Sequence, residues 1–149
     1  MDATPESIDG QTTQKIDLGG VEPWAHQRVI SGDLWRSLNQ NTDSVDVPCV
    51  VVPTGGGKTL IMVMLVKMAS LLGLRSVIYS HRKSLRAQTS GVLEAFNVYH
   101  GVRASGTKPL LHESVQVSSL DTERARVYAV DAQWDLHDAD VVIVDEAHA

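Results

Sequence analysis

Two short segments of the chain carry residue types that can bind phosphate and a metal ion. Residues 50–59 begin with three valines and continue as Pro53-Thr54-Gly55-Gly56-Gly57-Lys58-Thr59. Residues 141–148 begin with four branched apolar residues and continue as Asp145-Glu146-Ala147-His148. The first segment offers backbone amides, an ammonium group and a hydroxyl, and the second offers carboxylates. Together they predict a site for a nucleoside triphosphate and its metal ion.

The first segment predicts a phosphate-binding loop. Its three consecutive glycines let backbone N–H groups crowd around a β-phosphate, and the helix expected to follow adds the positive end of its dipole. Lys58 is expected to reach the β- and γ-phosphates, and the Thr59 hydroxyl to ligate Mg²⁺. The usual pattern has a further glycine where this chain has Val52. Pro53 and Gly55 are expected to shape the turn in its place.

The second segment predicts a carboxylate at the end of a buried strand. Ligands bind at the carboxyl edge of open α/β sheets, and Asp145 directly follows the apolar run. Asp145 is therefore expected to hold Mg²⁺ through water. Glu146 is the candidate general base, because hydrolysis needs a carboxylate that orients and deprotonates the attacking water.

The elements that must position these groups alternate along the chain, which predicts an α/β fold with a parallel sheet. Helices are predicted over residues 22–38, 58–72 and 82–96, with a further helix start over 121–125. Strands are predicted over residues 45–52, 76–80, 98–103, 114–120 and 141–144. Gly32 is expected to weaken or split the first helix, and Gly73 to end the second. Residues 1–20 are predicted to be a flexible leader, and residues 39–44 a turn.

Length and composition favour a single cytoplasmic domain. The 149 residues allow one core, and 43% hydrophobic with 21% charged residues is ordinary for a globular protein. The longest apolar run falls short of the ~20 residues that a membrane span needs, and the N-terminus lacks the apolar region of a signal peptide. Cys49 is the single cysteine of the sequence, which excludes a disulfide framework, and its valine neighbours predict a buried strand thiol.

The net charge of −5 argues against a wholly basic nucleic-acid binder, but the charge is unevenly distributed. Residues 75–126 carry 8 basic and 4 acidic side chains, a net charge of +4, whereas residues 127–149 carry 6 acids and no Lys or Arg. The middle third of the chain is therefore the part that can offer an electropositive face to phosphates. An ordinary solvated surface explains the same counts.

These motifs resemble those of the superfamily 2 helicases and translocases, specifically the DEAH-type branch with the RadD-like helicases and the motor subunits of type I and type III restriction enzymes. The loop resembles their motif I, and Asp145-Glu146-Ala147-His148 resembles motif II. Pro23-Trp24-Ala25-His26-Gln27 is similar to the Q-motif, and residues 78–88 are similar to motif Ia. The resemblance covers residues 21–149 and implies a partial helicase ATP-binding domain of the RecA-like P-loop fold, which uses ATP and Mg²⁺ and acts on DNA or RNA.

The resemblance implies roles for two further groups of residues. Gln27 is expected to read adenine, because an amide can pair with N6 and N7 together; the alternative is an ordinary polar residue on an amphipathic helix. Trp24 is expected in the core rather than beside the base. The backbone of the nucleic acid is expected to contact a strand end and the helix that follows, against the alternative of an exposed basic helix. The residues implied are His81, Arg82, Lys83 and Arg86. Ser118 and Ser119 weakly resemble a later backbone-contacting motif.

In the family, the first motor domain continues past motif II, and a second domain supplies arginines that stabilise the transferring γ-phosphate. The resemblance also implies that a strand between those of motifs I and II comes from this later part. The expectation is therefore that the fold is incomplete at the C-terminus, as in a truncated or split gene product or a partial reading frame. A C-terminal motor domain or a partner chain would then supply the rest.

Two other functions remain open at the level of sequence. The chain fits a different P-loop ATPase that does not act on nucleic acid, although Gln27 and residues 81–88 argue against this. It also fits a non-catalytic fragment that binds nucleotide or DNA, or regulates a full-length partner, without turnover.

Overall fold

The computed structural model describes residues 16–40 and 47–146. The elements follow the chain in the order α1 (Ala25–Gln40), α2 (Lys58–Leu71), β1 (Ser76–Tyr79), α3 (Lys83–Ala95), β2 (Gly101–Arg103), β3 (Val115–Ser118), α4 (Leu120–Arg126) and β4 (Val141–Val144). The four strands form one parallel sheet in the order β2-β3-β1-β4. The predicted α/β fold with a parallel sheet is confirmed, and it is the arrangement of a RecA-like P-loop domain.

The inner strands of the sheet, β1 and β3, are largely buried. Ser76 of β1 pairs with Val115 of β3 on one side and Val141 of β4 on the other. All four residues of β3 are buried, and in β1 the side chains of Val77 and Ile78 are at most 1% exposed. Among the described residues β4 is an edge strand, and its Val142 and Val144 are about half exposed. The register brings the carboxyl ends of β1, β3 and β4 to one edge of the sheet.

Two helices end in left-handed residues whose hydrogen bonds satisfy the last carbonyl groups. Gly73 has a φ of +70°, and Leu74 N–H donates to the Ala69 carbonyl, so the predicted end of α2 is confirmed. Asn97 has a φ of +56° after α3, and Val98 N–H donates to the Leu93 carbonyl in the same way. Both stops are local in origin, because glycine and asparagine tolerate this conformation better than other residues.

The chain forms two compact units, Met1–Met68 and Ala69–Ala149. The first contains α1, the glycine-rich loop and most of α2. The second contains the whole sheet with α3 and α4. The predicted division into a leader over residues 1–20 and a domain over residues 21–149 stays a prediction.

The prediction of a strand over residues 45–52 is wrong for the part that the structure describes. Residues 47–52 form no strand, and Val47 and Val51 are 84% and 91% exposed. Residues 45 and 46 lie outside the described residues. Cys49 is exposed rather than buried in a strand. A run of valines favours an extended chain, but it becomes a strand only where another strand accepts its hydrogen bonds, and the described residues provide none for it.

Helix α1 differs from its prediction at both ends and in the middle. It runs unbroken through Gly32 and includes residues 39 and 40, which were predicted to be a turn; residues 41–44 lie outside the described residues. It begins at Ala25, after the Trp24 carbonyl has accepted hydrogen bonds from the N–H groups of Gln27 and Arg28. The prediction that Trp24 lies in the core is wrong, since its side chain is 59% exposed.

The residues just before α1 include part of the predicted leader. Ile16 and Leu18 are buried, at 8% and 6% exposed, and the Asp17 carbonyl accepts a hydrogen bond from Lys67 Nζ. Residues 16–18 therefore pack within the first unit, and the flexible leader over residues 1–20 stays a prediction. Residues 1–15 lie outside the described residues.

The segment between α4 and β4 is held against the amino end of β1. The Arg75 N–H donates to Asp140 Oδ2 at 2.8 Å, and Arg75 Nε donates to the Asp138 carbonyl at 3.1 Å. His137 is 6% exposed; its Nδ1 lies 3.1 Å from Arg75 Nη2, and its Nε2 lies 3.1 Å from the Ser76 carbonyl oxygen. Because arginine can only donate, Nδ1 must accept and Nε2 must carry the proton.

No helix within the described residues is long and apolar enough to cross a membrane.

Candidate functional site

The glycine-rich loop of the first unit forms a tight turn that leads directly into α2. The Gly56 N–H donates to the Pro53 carbonyl at 2.8 Å, and Gly55 and Gly57 have φ values of +82° and +75°. Side-chain-bearing residues rarely adopt these values, so glycine is required at both positions. Successive backbone N–H groups in such a conformation form a concave surface that suits an anion.

The groups predicted to contact phosphate and metal lie where the loop becomes helix. Lys58 is the first residue of α2 and its side chain is exposed, while that of Thr59 is half-buried. The N–H groups of Leu60 and Ile61 donate to the Gly57 carbonyl at 3.1 and 3.3 Å, which makes this carbonyl the start of the helix ladder. The N-terminus of α2 and the positive end of its dipole therefore lie at the loop, as phosphate binding requires. Thr54 is also exposed.

Helix α1 contacts the loop through Gln27. This side chain is 4% exposed; its Nε2 donates to the Gly57 carbonyl at 3.3 Å, and its Oε1 accepts the Trp24 N–H at 2.8 Å. A Cβ atom added at Gly57 would collide with the Gln27 amide nitrogen, so the packing leaves no room for a side chain at position 57. The structure thus joins the Q-motif and the loop. Reading of adenine by Gln27 stays a prediction, and it would require the amide to exchange or share these partners.

His26, which the sequence did not single out, also contacts the loop. Its Nε2 lies 3.0 Å from the Gly56 carbonyl oxygen, and its ring lies 5.5 Å from the Trp24 ring at an angle of 47°. The sequence contained a signal, because His26 immediately precedes Gln27. The contact itself spans 30 residues of chain, so neither spacing nor periodicity could predict it.

In the second unit, the predicted acidic pair lies at the carboxyl end of β4. Asp145 is 5% exposed, and its N–H donates to the Tyr79 carbonyl at 2.9 Å, which continues the ladder between β4 and β1. Glu146 follows with a φ of +57°, a costly value for a residue with a side chain. Strain of this kind is found at functional sites, where the surrounding structure holds it. Ala147 and His148 lie outside the described residues.

The residues predicted to contact nucleic acid lie at the carboxyl end of β1 and the start of α3. His81, Arg82 and Lys83 are exposed, and Arg82 is the N-cap of α3. Arg86 differs from them, because its Nη1 donates to the carbonyl groups of Ser80 and His81 at 3.0 and 2.8 Å. Arg86 therefore fixes the turn that presents the other three side chains.

The two serines that weakly resembled a backbone-contacting motif are buried instead. Ser118 is fully buried, and its hydroxyl donates to Glu123 Oε1 at 2.6 Å; Ser119 is 4% exposed. They belong to an internal network in which Arg103 and Glu123 form a buried ion pair. Burial raises the pKa of the neighbouring Tyr79, and the charge of Glu123 raises it further, so this phenol stays protonated at neutral pH.

The donor types in the chain suit Mg²⁺ bound together with a nucleotide. Within residues 16–40 and 47–146, no three His, Cys, Asp or Glu side chains cluster as a metal site. Mg²⁺ does not need such a cluster, because it keeps several waters and binds one or two carboxylates together with phosphate oxygens. The carboxylate of Asp145 and the hydroxyl of Thr59 are hard oxygen ligands of the kind it prefers.

Comparison with known proteins identifies the family. No curated protein and no solved structure matches the chain significantly. The family model described as "Type III restriction enzyme, res subunit" matches residues 20–149, which is most of the chain and includes both candidate motifs. Its members have a helicase-like ATP-binding motor domain of superfamily 2. The chain therefore belongs to the type III restriction enzyme res subunit family.

Proposed function

We propose that this chain is the ATP-binding N-terminal portion of a DNA helicase or translocase, which hydrolyses MgATP to move on or unwind nucleic acid. The observation that carries the proposal is the glycine-rich loop at the start of α2, whose Gly57, with a positive φ, lies against Gln27. The family match supports a motor domain that binds ATP.

The proposed roles follow from the chemistry of each group. Thr54 and the three glycines present backbone groups to the phosphates, while Lys58 contributes its charge and Thr59 its hydroxyl. Asp145 holds Mg²⁺, which offsets the charge of the phosphate oxygens when it is bound. Glu146 orients and deprotonates the attacking water, and Gln27 pairs with adenine.

The proposed nucleic-acid contact is the exposed basic turn after β1. His81, Arg82 and Lys83 lie beside the first N–H groups of α3, which also favour phosphate. Arg86 supports them by holding the carbonyl groups of the turn. Contacts of this kind bind the backbone without reading sequence, which suits a motor that moves along DNA.

Efficient hydrolysis is proposed to need arginines from a second motor domain or a partner chain. An arginine of this kind can increase the rate of hydrolysis about 10³- to 10⁵-fold. Nucleotide binding can therefore be tested with this chain alone, and hydrolysis with the second motor domain added.

The first test is MgATP binding by the 149-residue chain. Lys58→Ala should weaken binding at least about tenfold, since it removes a charge-assisted contact to phosphate. Lys108→Ala is the matched control, because Lys108 is also exposed but lies far along the chain in the second unit. Equal binding by all three proteins would contradict the assignment of the loop.

The second test is hydrolysis in the presence of the proposed second motor domain, with and without single-stranded DNA. Glu146→Gln should abolish turnover and retain ATP binding, whereas the exposed Glu94→Gln should change neither. Hydrolysis that DNA does not stimulate would favour a P-loop ATPase that acts elsewhere. Binding without hydrolysis in any combination would favour a non-catalytic fragment.

A further inference from the structure

Two consecutive side chains of α1 contact two consecutive carbonyl groups of the phosphate loop. His26 Nε2 lies 3.0 Å from the Gly56 oxygen, and Gln27 Nε2 lies 3.3 Å from the Gly57 oxygen. All of these groups belong to the first unit. Gln27 already has a role in the proposed function, whereas His26 has none.

The contact made by His26 is a donation. The Gly56 carbonyl oxygen can only accept, so His26 must carry a proton on Nε2. Both the neutral Nε2–H tautomer and the protonated ring meet this condition. The neighbouring Trp24 ring, 5.5 Å away, helps to restrain the imidazole in this orientation.

Fixing the Gly56 carbonyl also fixes an N–H group of the loop. In a trans peptide the C=O and the following N–H are coplanar and point in opposite directions, and the described residues contain no cis peptide bond. When the Gly56 oxygen points toward α1, the Gly57 N–H must therefore point away from α1. That N–H belongs to the glycine with a φ of +75° at the start of α2, where an anion would bind.

The two carbonyl groups differ in how much they depend on α1. The Gly57 oxygen also accepts the N–H groups of Leu60 and Ile61, so the helix sets its direction with or without Gln27. The Gly56 oxygen lies before the helix ladder and accepts a hydrogen bond from the His26 side chain. Loss of the His26 contact therefore removes a hydrogen bond that restrains rotation of the Gly56–Gly57 peptide.

We propose that His26 is a positioning residue of the nucleotide site, which holds the Gly56 carbonyl so that the Gly57 N–H is oriented toward a bound phosphate. The inference rests on the proposed function, since it assigns phosphate to the loop. It predicts that His26 contributes to the binding of phosphate and not to that of the nucleoside.

The test compares two substitutions that differ only in the donor. His26→Phe keeps an aromatic ring beside Trp24 and removes the N–H. His26→Gln places an amide N–H at about the reach of the imidazole Nε2 and should restore the contact. His112→Phe is the matched control, because His112 is an exposed histidine of the second unit. Thermal unfolding of each variant verifies that the chain remains folded.

The measurements use a fluorescent ADP analogue with Mg²⁺, and competition by pyrophosphate and by adenosine. His26→Phe should weaken binding of the ADP analogue and of pyrophosphate about three- to tenfold, the value of one lost hydrogen bond, with adenosine unchanged. His26→Gln should recover most of this loss, and His112→Phe should match the wild type.

The outcomes separate the inference from the function on which it rests. Wild-type affinity in His26→Phe, equal losses for adenosine and pyrophosphate, or no recovery in His26→Gln would each overturn the role of His26. If Lys58→Ala weakens binding while His26→Phe does not, only this inference fails. If the wild-type chain binds neither the ADP analogue nor pyrophosphate, the proposed function and the inference fail together.

Discussion

Arg103 at the end of β2 donates two hydrogen bonds to Glu123 of α4, with distances of 2.5 Å to Oε1 and 3.1 Å to Oε2. Their side chains are 1% and 4% exposed. Arg103 also donates to the Asp135 carbonyl at 2.7 Å and lies 5.4 Å from the centre of the Trp134 ring. The pair therefore joins β2, α4 and the segment that leads to β4.

Removal of one partner of this pair should strongly destabilise the fold. Arg103→Met leaves the Glu123 carboxylate buried without its cation, which typically costs about 3–5 kcal/mol. Denaturant unfolding measures the change. Arg36→Met is the control, since its pair with Asp33 is 59% exposed on both sides and should contribute at most about 1 kcal/mol. Equal losses for the two variants would contradict a special role of the buried pair.

The stability of the second unit should fall as the solution is acidified. Burial lowers the pKa of His137 from its ordinary value of 6.5, and the charges of Arg75 and Arg103 lower it further; the Ser76 carbonyl and Glu123 act in the opposite sense. The unfolded chain therefore binds a proton at a higher pH than the folded chain does. The contribution of neutral His137 to the free energy of unfolding is fully present above pH 6.5. It is lost as the pH falls from there through the lower pKa that His137 has in the folded chain.

Denaturant unfolding between about pH 8 and pH 5 tests this expectation. His137→Gln removes the titrating group and should flatten the pH dependence, while its amide can still donate to the Ser76 carbonyl. The exposed His112→Gln should leave the slope as in the wild type. A slope that survives His137→Gln unchanged would assign the effect to another group.

Two glycine substitutions should have opposite effects. Gly57→Ala places a side chain at a φ of +75° and against the Gln27 amide, so it should lower both stability and MgATP affinity. Gly91→Ala, within α3, has nothing within 4 Å of the added Cβ and should stabilise the chain by about 0.5–1 kcal/mol. Thermal unfolding and nucleotide titration measure the pair. A neutral Gly57→Ala would refute the close packing of the loop on α1.

The basic turn after β1 should separate direct from indirect DNA contacts. Arg82→Ala removes an exposed charge and should reduce the slope of log K against log salt by about 1, without sequence preference. Arg86→Ala should weaken DNA binding and also lower stability, because it leaves the Ser80 and His81 carbonyl groups without their donor. Fluorescence anisotropy over a range of salt concentrations, with unfolding of the same variants, distinguishes them. A stability loss in Arg82→Ala and not in Arg86→Ala would reverse the assignment.

The sequence by itself determined those features whose physical cause lies within a few residues. The glycines of the loop and Gly73 are required by backbone conformations that their neighbours impose, and the parallel sheet follows from short apolar runs that alternate with helical periodicity. Strand β4, which ends just before Asp145, was predictable because four branched apolar residues precede an acidic pair. The family resemblance rests on the same local motifs.

Only the tertiary structure decided which distant groups meet. Residues 47–52 have the composition of a strand but no strand partner among the described residues, and pairing is a property of two segments rather than one. Trp24 was expected inside the core and is exposed, while Ser118, which weakly resembled part of a backbone-contacting motif, is buried. Arg103 meets Glu123 across 20 residues, and His26 meets Gly56 across 30. No local pattern encodes such contacts, because they depend on which faces of the helices and which strand ends the folded chain brings together.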